Sequence, residues 1–600
     1  MEVTRLNFES VLPEIQSAID TATFLSIDTE FTGLSNEVER PSFDNTAERY
    51  EKIRAKSLEF LLVQLGLAIF TYDPEKKVYN HRTYSFYVFP KPCTIARLGQ
   101  DEWFKCQATS MDILGEGNFD FNKVFKQGIP YLNQYQSGYI RRYLERRREN
   151  RLRFEEATVG YPITINDDLK DTVEEVEKQV EAFVADPSAK NVTLPAFNSY
   201  VRRILFLHLK HKFGVDNLLY ETLDRSIVVR RRPSPEDLVI EEEERVNNEN
   251  IRLDLATGFS KLITHISQSG KYIVGHNMLL DLCHIIHRFW NPLPENYDDF
   301  KVLLHSVFPR IIDTKILIKA PQLSIDGVKF PSYLKKTFLQ IQKEPFKLIK
   351  LECGFGEEQS YSLDVYKDHD AGYDAFATGV LFQTVINYLG TFKNPPAEHV
   401  EPYDDILKNY TNFVYIMRVN STINLEGMDD PVDRSNVFYI SCQTKWTPPS
   451  IIKLFSPFGD IQIRWINPYA AYVVLKDRSQ VENVKEVLIE KRDQSQYVNT
   501  NYRVMTYDNH VRLLKERIQN RRTRFRRPFS VGRRPYYRSP PRSFNTYDQN
   551  YQGNEGHMEG GDQGNDLRYN QEEQWQGSAT NNIPEEQPEG QQEELQEDLL

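Results

Sequence analysis

Two acids stand two residues apart at the end of a short apolar stretch, Phe24-Leu-Ser-Ile-Asp28-Thr-Glu30-Phe31. Residues i and i+2 of a strand share a face, so Asp28 and Glu30 would converge on one point. The other reading is a strand end running into a loop, where acids are common. A third acid, Asp281, closes Asn277-Met-Leu-Leu-Asp281 with leucines on both sides. An unpaired charge in such a run must face a cation or water, on a wet helix face if nothing else. His369 and Asp374 fall in His369-Asp-Ala-Gly-Tyr-Asp374, directly before an apolar helical stretch. Alone, they read as a surface imidazole and a helix-start acid favoured by the dipole. Jointly, D-x-E, N-x-x-x-D and H-x-x-x-x-D supply four carboxylates and an imidazole. Hard divalent cations take oxygen ligands of this kind, and an imidazole moves protons near neutral pH.

The elements that would position these groups can be read from pattern. Residues 24–31, 59–71 and 84–90 are strand-like, rich in β-branched and aromatic residues. Residues 120–132 suggest a short helix and turn, and 138–156 a charged helix or solvated linker. A compact unit follows at 172–224, with two helical runs, and ends with a strand, Ser226-Ile-Val-Val-Arg-Arg231. From Thr257 helix and strand alternate again, up to a helix at 374–389. The pattern describes an α/β domain interrupted by a small insertion, which is tolerated because domain termini often lie close together. Residues 435–507 then run strand, helix, strand, strand, helix, strand, the split-βαβ order.

Bulk properties narrow the class. The net charge of −12 conceals a polarised end. Residues 512–542 carry twelve Lys or Arg and one Glu, whereas 548–600 carry fourteen Asp or Glu and one Arg. Beyond Asn545 the chain is mostly Gln, Glu, Asn and Gly and is expected to be disordered. Five scattered cysteines, none in C-x-x-C, argue against a disulfide framework or a structural zinc and point to a reducing compartment. The N-terminus lacks a secretory pattern. No apolar run nears the roughly 20 residues of a membrane span.

The three motifs, in this order on strand, helix start and helix start, resemble the His-containing subclass of DEDD exonucleases. That resemblance implies a ribonuclease H-like fold. It also implies two Mg²⁺ ions about 3.5–4 Å apart, clamping the attacking and leaving oxygens of a phosphodiester. Asp28 would bridge both ions, Glu30 and Asp374 would hold the one nearer the attacking water, and Asp281 would support the other. His369 would take the water's proton. Longer blocks narrow the resemblance: Ser26-Ile-Asp-Thr-Glu-Phe-Thr-Gly-Leu34, Tyr87-Val-Phe-Pro-Lys-Pro92, Phe119-Asp-Phe-Asn-Lys-Val-Phe125, Gly128-Ile-Pro-Tyr-Leu-Asn133, Phe308-Pro-Arg-Ile-Ile-Asp-Thr-Lys315 and Ala371-Gly-Tyr-Asp-Ala375. Over residues 1–510 the chain looks like the poly(A)-specific ribonuclease family.

The family implies a 3′→5′ exoribonuclease that shortens poly(A) to 5′-AMP, working as a homodimer in nucleus and cytoplasm, with no membrane attachment. The expected organisation is a split ribonuclease H-like α/β domain at 1–140 and 245–415, and an inserted α+β single-stranded nucleic-acid-binding domain at 170–240. An RRM-like α+β domain at 433–510 and a basic, then acidic, disordered tail at 511–600 complete it. The insertion departs from its family motif, Arg-x-x-x-His, because Arg203 and His208 are one residue too far apart. Arg202, Arg203, Lys210, His211 and Lys212 remain candidates for phosphate contact. In the RRM-like domain Phe438 or Tyr439, and Tyr472, are the candidate base-stacking aromatics. Trp465 matches the position where the family stacks the m7G cap, a cation–π pairing. Leu34 would lie beside the terminal base. Ile113 falls where relatives can carry an aromatic, which puts adenine selectivity in question. The Arg/Tyr/Phe run at 521–542 suits single-stranded RNA or nuclear import. Competing readings are an RNA- or cap-binding protein with a dead nuclease fold, a small-RNA 3′-trimming exonuclease, whose membrane-anchored branch ends in a hydrophobic segment unlike Glu594-Leu-Gln-Glu-Asp-Leu-Leu600, and a DNA exonuclease.

Overall fold

A computed structural model of the 600-residue chain describes residues 1–34, 43–92, 95, 102–156, 165–223, 225–325, 329–331, 333–356, 361, 363, 366–417, 419, 421–490 and 502–525. The acidic tail and the basic run beyond Phe525 lie outside the described residues. The chain divides into two units that meet at Val432 and Asp433.

In the first unit the strands are, in chain order, β1 (Glu2–Val3), β2 (Phe24–Phe31), β3 (Leu62–Asp73), β4 (Val78–Tyr87), the insertion's β5 (Asn191–Thr193), β6 (Leu218–Leu223) and β7 (Ser226–Arg231), then β8 (Ile273–Gly275), β9 (Ile311–Asp313), β10 (Leu351–Cys353), β11 (Phe413–Tyr415) and β12 (Thr422–Asn424). The main sheet runs β1-β4-β3-β2-β8-β9, with β10 on the same edge of β4 as β1. Its β2–β3–β4 meander is antiparallel and β2–β8–β9 is parallel, a mixed ribonuclease H-like sheet. Strand β4 begins at Val78, earlier than its sequence suggests, because the polar residues Asn80, Arg82 and Thr83 are held in full register with β3.

Both faces of the sheet are covered. Leu25, Ile27, Leu65 and Leu67 join one core with the helices Phe8–Thr21 and Ser260–Ser269. Phe24, Ala68 and Phe70 join the other with the helix Ala371–Gly390. That helix lies almost wholly buried because small residues recur along it: Ala371, Ala375 and Gly379 face the strands, spaced by four. A Cβ on Gly379 would come within 2.2 Å of the Phe70 ring.

The insertion leaves and re-enters at one point. Tyr131 and Gly258 form a β-bridge, and the Phe259 N–H donates to the Pro130 carbonyl at 2.9 Å. Between them, the helices Gln134–Glu156 and Pro235–Thr257 pack through Ile140, Leu144 and Leu253 and pair Arg148 with Glu249 at 3.1 Å. The stretch from Glu236 is strongly charged, yet Ser234 caps it at the Asp237 N–H and Pro235 opens it, so it forms a 23-residue helix. Beyond this pair sits a three-stranded sheet, β5-β7-β6, covered by the helices Lys170–Ala185 and Ser199–Phe213.

The second unit holds a four-stranded antiparallel sheet, ordered β14 (Ile461–Asn467), β15 (Ala470–Leu475), β13 (Val437–Cys442) and β16 (Tyr502–Thr506). The helices Pro448–Phe455 and Val481–Lys485 cover one face. A further helix, Tyr507–Phe525, forms where the sequence suggests the tail begins. It is anchored by stacking of His510 on Tyr439, with centroids 3.6 Å apart. Among the described residues no helix is long and apolar enough to cross a membrane, and Cys106, Cys283, Cys353 and Cys442 are free thiols.

Candidate active site

Strand register decides where the first two acids point. Asp28 is opposite Gly66, which is opposite Ser85; Glu30 is opposite Gln64. Directly paired residues share a face, so this row meets the N-terminus of the helix Ala371–Gly390. Gly66 makes the approach possible: a Cβ there would lie 1.8 Å from the Ala371 carbonyl oxygen. Around that gap the contacts are specific. The Ala371 N–H donates to Gln64 Oε1 at 3.1 Å, Ser85 Oγ donates to Asp370 Oδ1 at 3.1 Å, and Ser26 Oγ donates to the Ala375 carbonyl at 2.7 Å. Asp370 caps the helix by accepting from the Gly372 and Tyr373 N–H groups. Asp374 sits in the first turn and is delivered to Asp28 and Glu30.

Ligand atoms of Asp28, Glu30 and Asp374 lie within 4.8 Å of one another. Burial, followed by the charges of Asp374 and Asp281, pushes the carboxyls of Asp28 and Glu30 well above the usual range. Burial also raises Asp374, although a hydrogen bond from Tyr366 opposes it. Three like charges held together and partly removed from water are an unfavourable arrangement that a divalent cation relieves. The donor set is all oxygen and fits a hard ion.

Asp281 arrives from the other face of the sheet, in the helix Leu279–Ile285. Its carboxylate accepts from Thr29 Oγ1, and its charge is felt by both Asp28 and Glu30. It stands beside the trio, not within it. The turn that carries it is built on Asp313, a fully buried carboxylate at the end of β9. Asp313 accepts from the N–H groups of Asn277 (2.9 Å), Met278 (3.3 Å), Lys315 (3.0 Å) and Tyr415 (3.1 Å). Those bonds hold Asn277 at φ 59°, a left-handed conformation that Asn tolerates.

His369 is at φ 60° in the turn before Asp370, half-buried. Burial lowers its pKa from the ordinary imidazole value, which favours the neutral ring. The helix Ala108–Glu116 ends against this turn, with a Cβ on Gly117 falling 3.0 Å from the Asp368 carbonyl oxygen. Ile113 is half-buried on that helix. Leu34, also half-buried, is tied to the same segment: its N–H donates to Gln107 Oε1 at 3.2 Å, and the Gln107 N–H donates to the Thr32 carbonyl at 2.7 Å. Gln64, Gly66, Asp313 and Tyr366 are given no role in the sequence reading, because nothing local marks a strand glutamine or glycine as a partner of a helix start some 307 positions away, or Tyr366 as the partner of an acid eight residues on.

In the second unit Trp465 lies on the edge strand β14, with 38% of its surface exposed. The stacking aromatics expected there need correction. Phe438 is fully buried in the core. Tyr439 and Tyr472 are paired on the opposite face, where the unit's own helix engages them: His510 stacks on Tyr439 and its Nδ1 lies 2.9 Å from the Tyr472 hydroxyl.

A mixed sheet with acids converging from β2, half-buried, and from two helix starts defines a metal-supported nuclease of ribonuclease H-like fold. Residues 3–382 match the CAF1 family ribonuclease model and residues 427–512 an RNA binding domain. The chain is 35% identical to "Poly(A)-specific ribonuclease PARN" of Xenopus laevis over 87% of its own length and 83% of the relative's. It is 35% identical to the Homo sapiens protein of the same name, covering 87% and 82%. To the "Pre-piRNA 3'-exonuclease trimmer" of Bombyx mori it is 28% identical, over 82% of this chain and 92% of the relative. The chain belongs to the CAF1 family of ribonucleases and carries an RNA-binding domain behind the nuclease.

Tyr366 donates its phenolic hydrogen to Asp374 Oδ1 and so restrains the rotation of that carboxylate. Tyr366→Phe is expected to lower kcat roughly tenfold, the loss of one hydrogen bond to a charged group, with KM for RNA unchanged. Steady-state kinetics checks this; an unaltered kcat would show that the phenol does not position Asp374.

Proposed function

We propose that Asp28, Glu30 and Asp374, joined by Asp281, hold two divalent ions, Mg²⁺ in the cell, and that His369 is the general base. The observation that carries this is the convergence of three carboxylates within 4.8 Å at the point where β2 meets the start of the helix Ala371–Gly390. The chain is a poly(A)-specific 3′→5′ exoribonuclease, a deadenylase, and its product is 5′-AMP. Bound cations supply charge neutralisation at the scissile phosphate and acidify water. The protein's part follows from its own groups. His369 accepts the proton of the attacking water at its unprotonated ring nitrogen. Tyr366 and Thr29 orient the Asp374 and Asp281 carboxylates by hydrogen bonds. Leu34 and Ile113, linked through Gln107, flank the terminal base. With Ile113 aliphatic, adenine is selected without aromatic stacking at that position.

The remaining parts serve RNA capture. The inserted domain binds single-stranded RNA through exposed Arg203 and His211. His208 is committed to a hydrogen bond with Glu177, so the insertion's basic helix, not an Arg-x-x-x-His motif, makes the phosphate contacts. Trp465 stacks on the 5′ m7G cap, and the enzyme works as a homodimer in nucleus and cytoplasm. Trp465→Ala should weaken binding of a cap analogue about tenfold or more and leave hydrolysis of uncapped RNA intact; unchanged affinity in a titration would refute the cap site. A time course on RNAs ending in A, U or C, with Mg²⁺ and EDTA arms, tests the main reading. Preferential, Mg²⁺-dependent release of AMP from A ends is expected. Equal trimming of all three ends would favour the small-RNA trimming role named for the Bombyx mori relative.

A further inference from the structure

The first helix of the insertion's stalk, Gln134–Glu156, has one face that the fold leaves open. Its packed side is set by Ile140 and Leu144 against Leu253, and by the Arg148–Glu249 ion pair. A helix turns about 100° per residue, so Tyr135, Tyr139, Arg142, Tyr143 and Arg146 fall together on the side facing away from that contact. All five are exposed, the tyrosines by 64%, 44% and 39%. The face is held in place. Asn133 and Gln136 exchange backbone-to-side-chain hydrogen bonds of 2.9 Å across the helix start, and the Arg148–Glu249 pair fixes the rotation further along.

From this geometry we propose that the Tyr135–Tyr139–Tyr143 face, with Arg142 and Arg146, binds the single-stranded body of the RNA substrate, outside the catalytic cleft. Successive tyrosines are about 6 Å apart along the axis, close to the step between bases of an extended, unstacked strand. Aromatic rings accept any base on a π-face, and interleaved arginines follow the phosphates. Among the described residues neither Arg142 nor Arg146 forms an ion pair, so both charges face solvent. The helix carries seven Arg against four Glu, an excess that complements a polyanion. A polymeric substrate extends beyond any cleft, and this surface belongs to the same unit as the carboxylates.

The test uses the full chain with EDTA, so hydrolysis is off and the result does not depend on the metal-site assignment. Anisotropy is read on labelled oligoadenylates of a few nucleotides and of a few tens. Replacing the three tyrosines with Ala should weaken binding of the long RNA roughly tenfold or more and leave the short one unchanged. The triple Tyr→Phe variant should retain wild-type affinity, because the rings remain. Arg142→Gln with Arg146→Gln should flatten the dependence of log affinity on log salt by about 1.4, since each phosphate no longer neutralised removes about 0.7 from the slope. Unchanged affinity for long RNA, or an equal loss on both lengths, overturns the proposal. So does a fall in sedimentation mass accompanying the Ala variant, which would make this face a contact between copies of the chain.

Discussion

Asp28→Asn is expected to abolish ribonuclease activity, by a factor on the order of 10³ or more, and to stabilise the protein when metal is absent. Both effects have one cause. Asp28, half-buried, lies close to Glu30 and Asp374 with Asp281 beside them, and burial with the neighbouring charges raises its carboxyl. An acid raised in this way keeps its proton longer folded than unfolded. From about pH 4, the ordinary carboxylate value, up to the raised folded value, the native chain holds more protons, so stability falls as pH rises through that window. Metal-free wild type should therefore melt at progressively lower temperature from mildly acidic to neutral pH. Asn removes one of the repelling charges; at neutral pH it should recover about 1–3 kcal/mol and flatten the profile. Mg²⁺ should raise the melting temperature of wild type and do so much less for the variant. Thermal unfolding with EDTA and with Mg²⁺ reads all of this. If Asp28→Asn melts below wild type in EDTA at neutral pH, the acids are not held in mutual repulsion and the site has been misread.

Gly66→Ala should be the most damaging single methyl group in the nuclease domain. The added carbon would sit 1.8 Å from the Ala371 carbonyl oxygen, 2.1 Å from its carbon and 2.6 Å from the Gly372 nitrogen. Those atoms are backbone in a buried helix, so relief requires the helix start to lift. Lifting breaks the Ala371–Gln64 hydrogen bond and moves Asp374 away from Asp28 and Glu30. A cost of about 3 kcal/mol or more is expected from overpacking. A displacement of about 1 Å at reacting groups lowers turnover on the order of 10²-fold. Gly115→Ala is the control. It lies in the helix Ala108–Glu116 with nothing within 4 Å of its added carbon, and it should be neutral or stabilising by about 0.5–1 kcal/mol. Comparable melting temperatures and kcat for the two variants would show that the helix does not depend on Gly66.

How much was legible beforehand differs between residues for physical reasons. The strand Phe24–Phe31 and the helix from Ala371 announce themselves because alternation and apolar runs are local signals. The helix from Pro235 does not, since its interior is charged and its stability comes from capping and from the partner helix across Leu253. Tyr439 and Tyr472 could be placed on a sheet face by counting, but the helix that covers them ends in a run of arginines that reads as tail.

The kinds of chemical group were set by the chain's own order. Four acids and an imidazole at motif spacing offer oxygen donors and a group able to take a proton, because side-chain chemistry and strand periodicity do not depend on what packs nearby. Folding alone decided which of these groups share a space. The register that sets Asp28 beside Gly66, the Asp313 carboxylate that holds the Asp281 turn, and the Thr29 hydroxyl on Asp281 are all contacts between distant segments. Close packing admits only one such arrangement, and no window along the chain contains both partners.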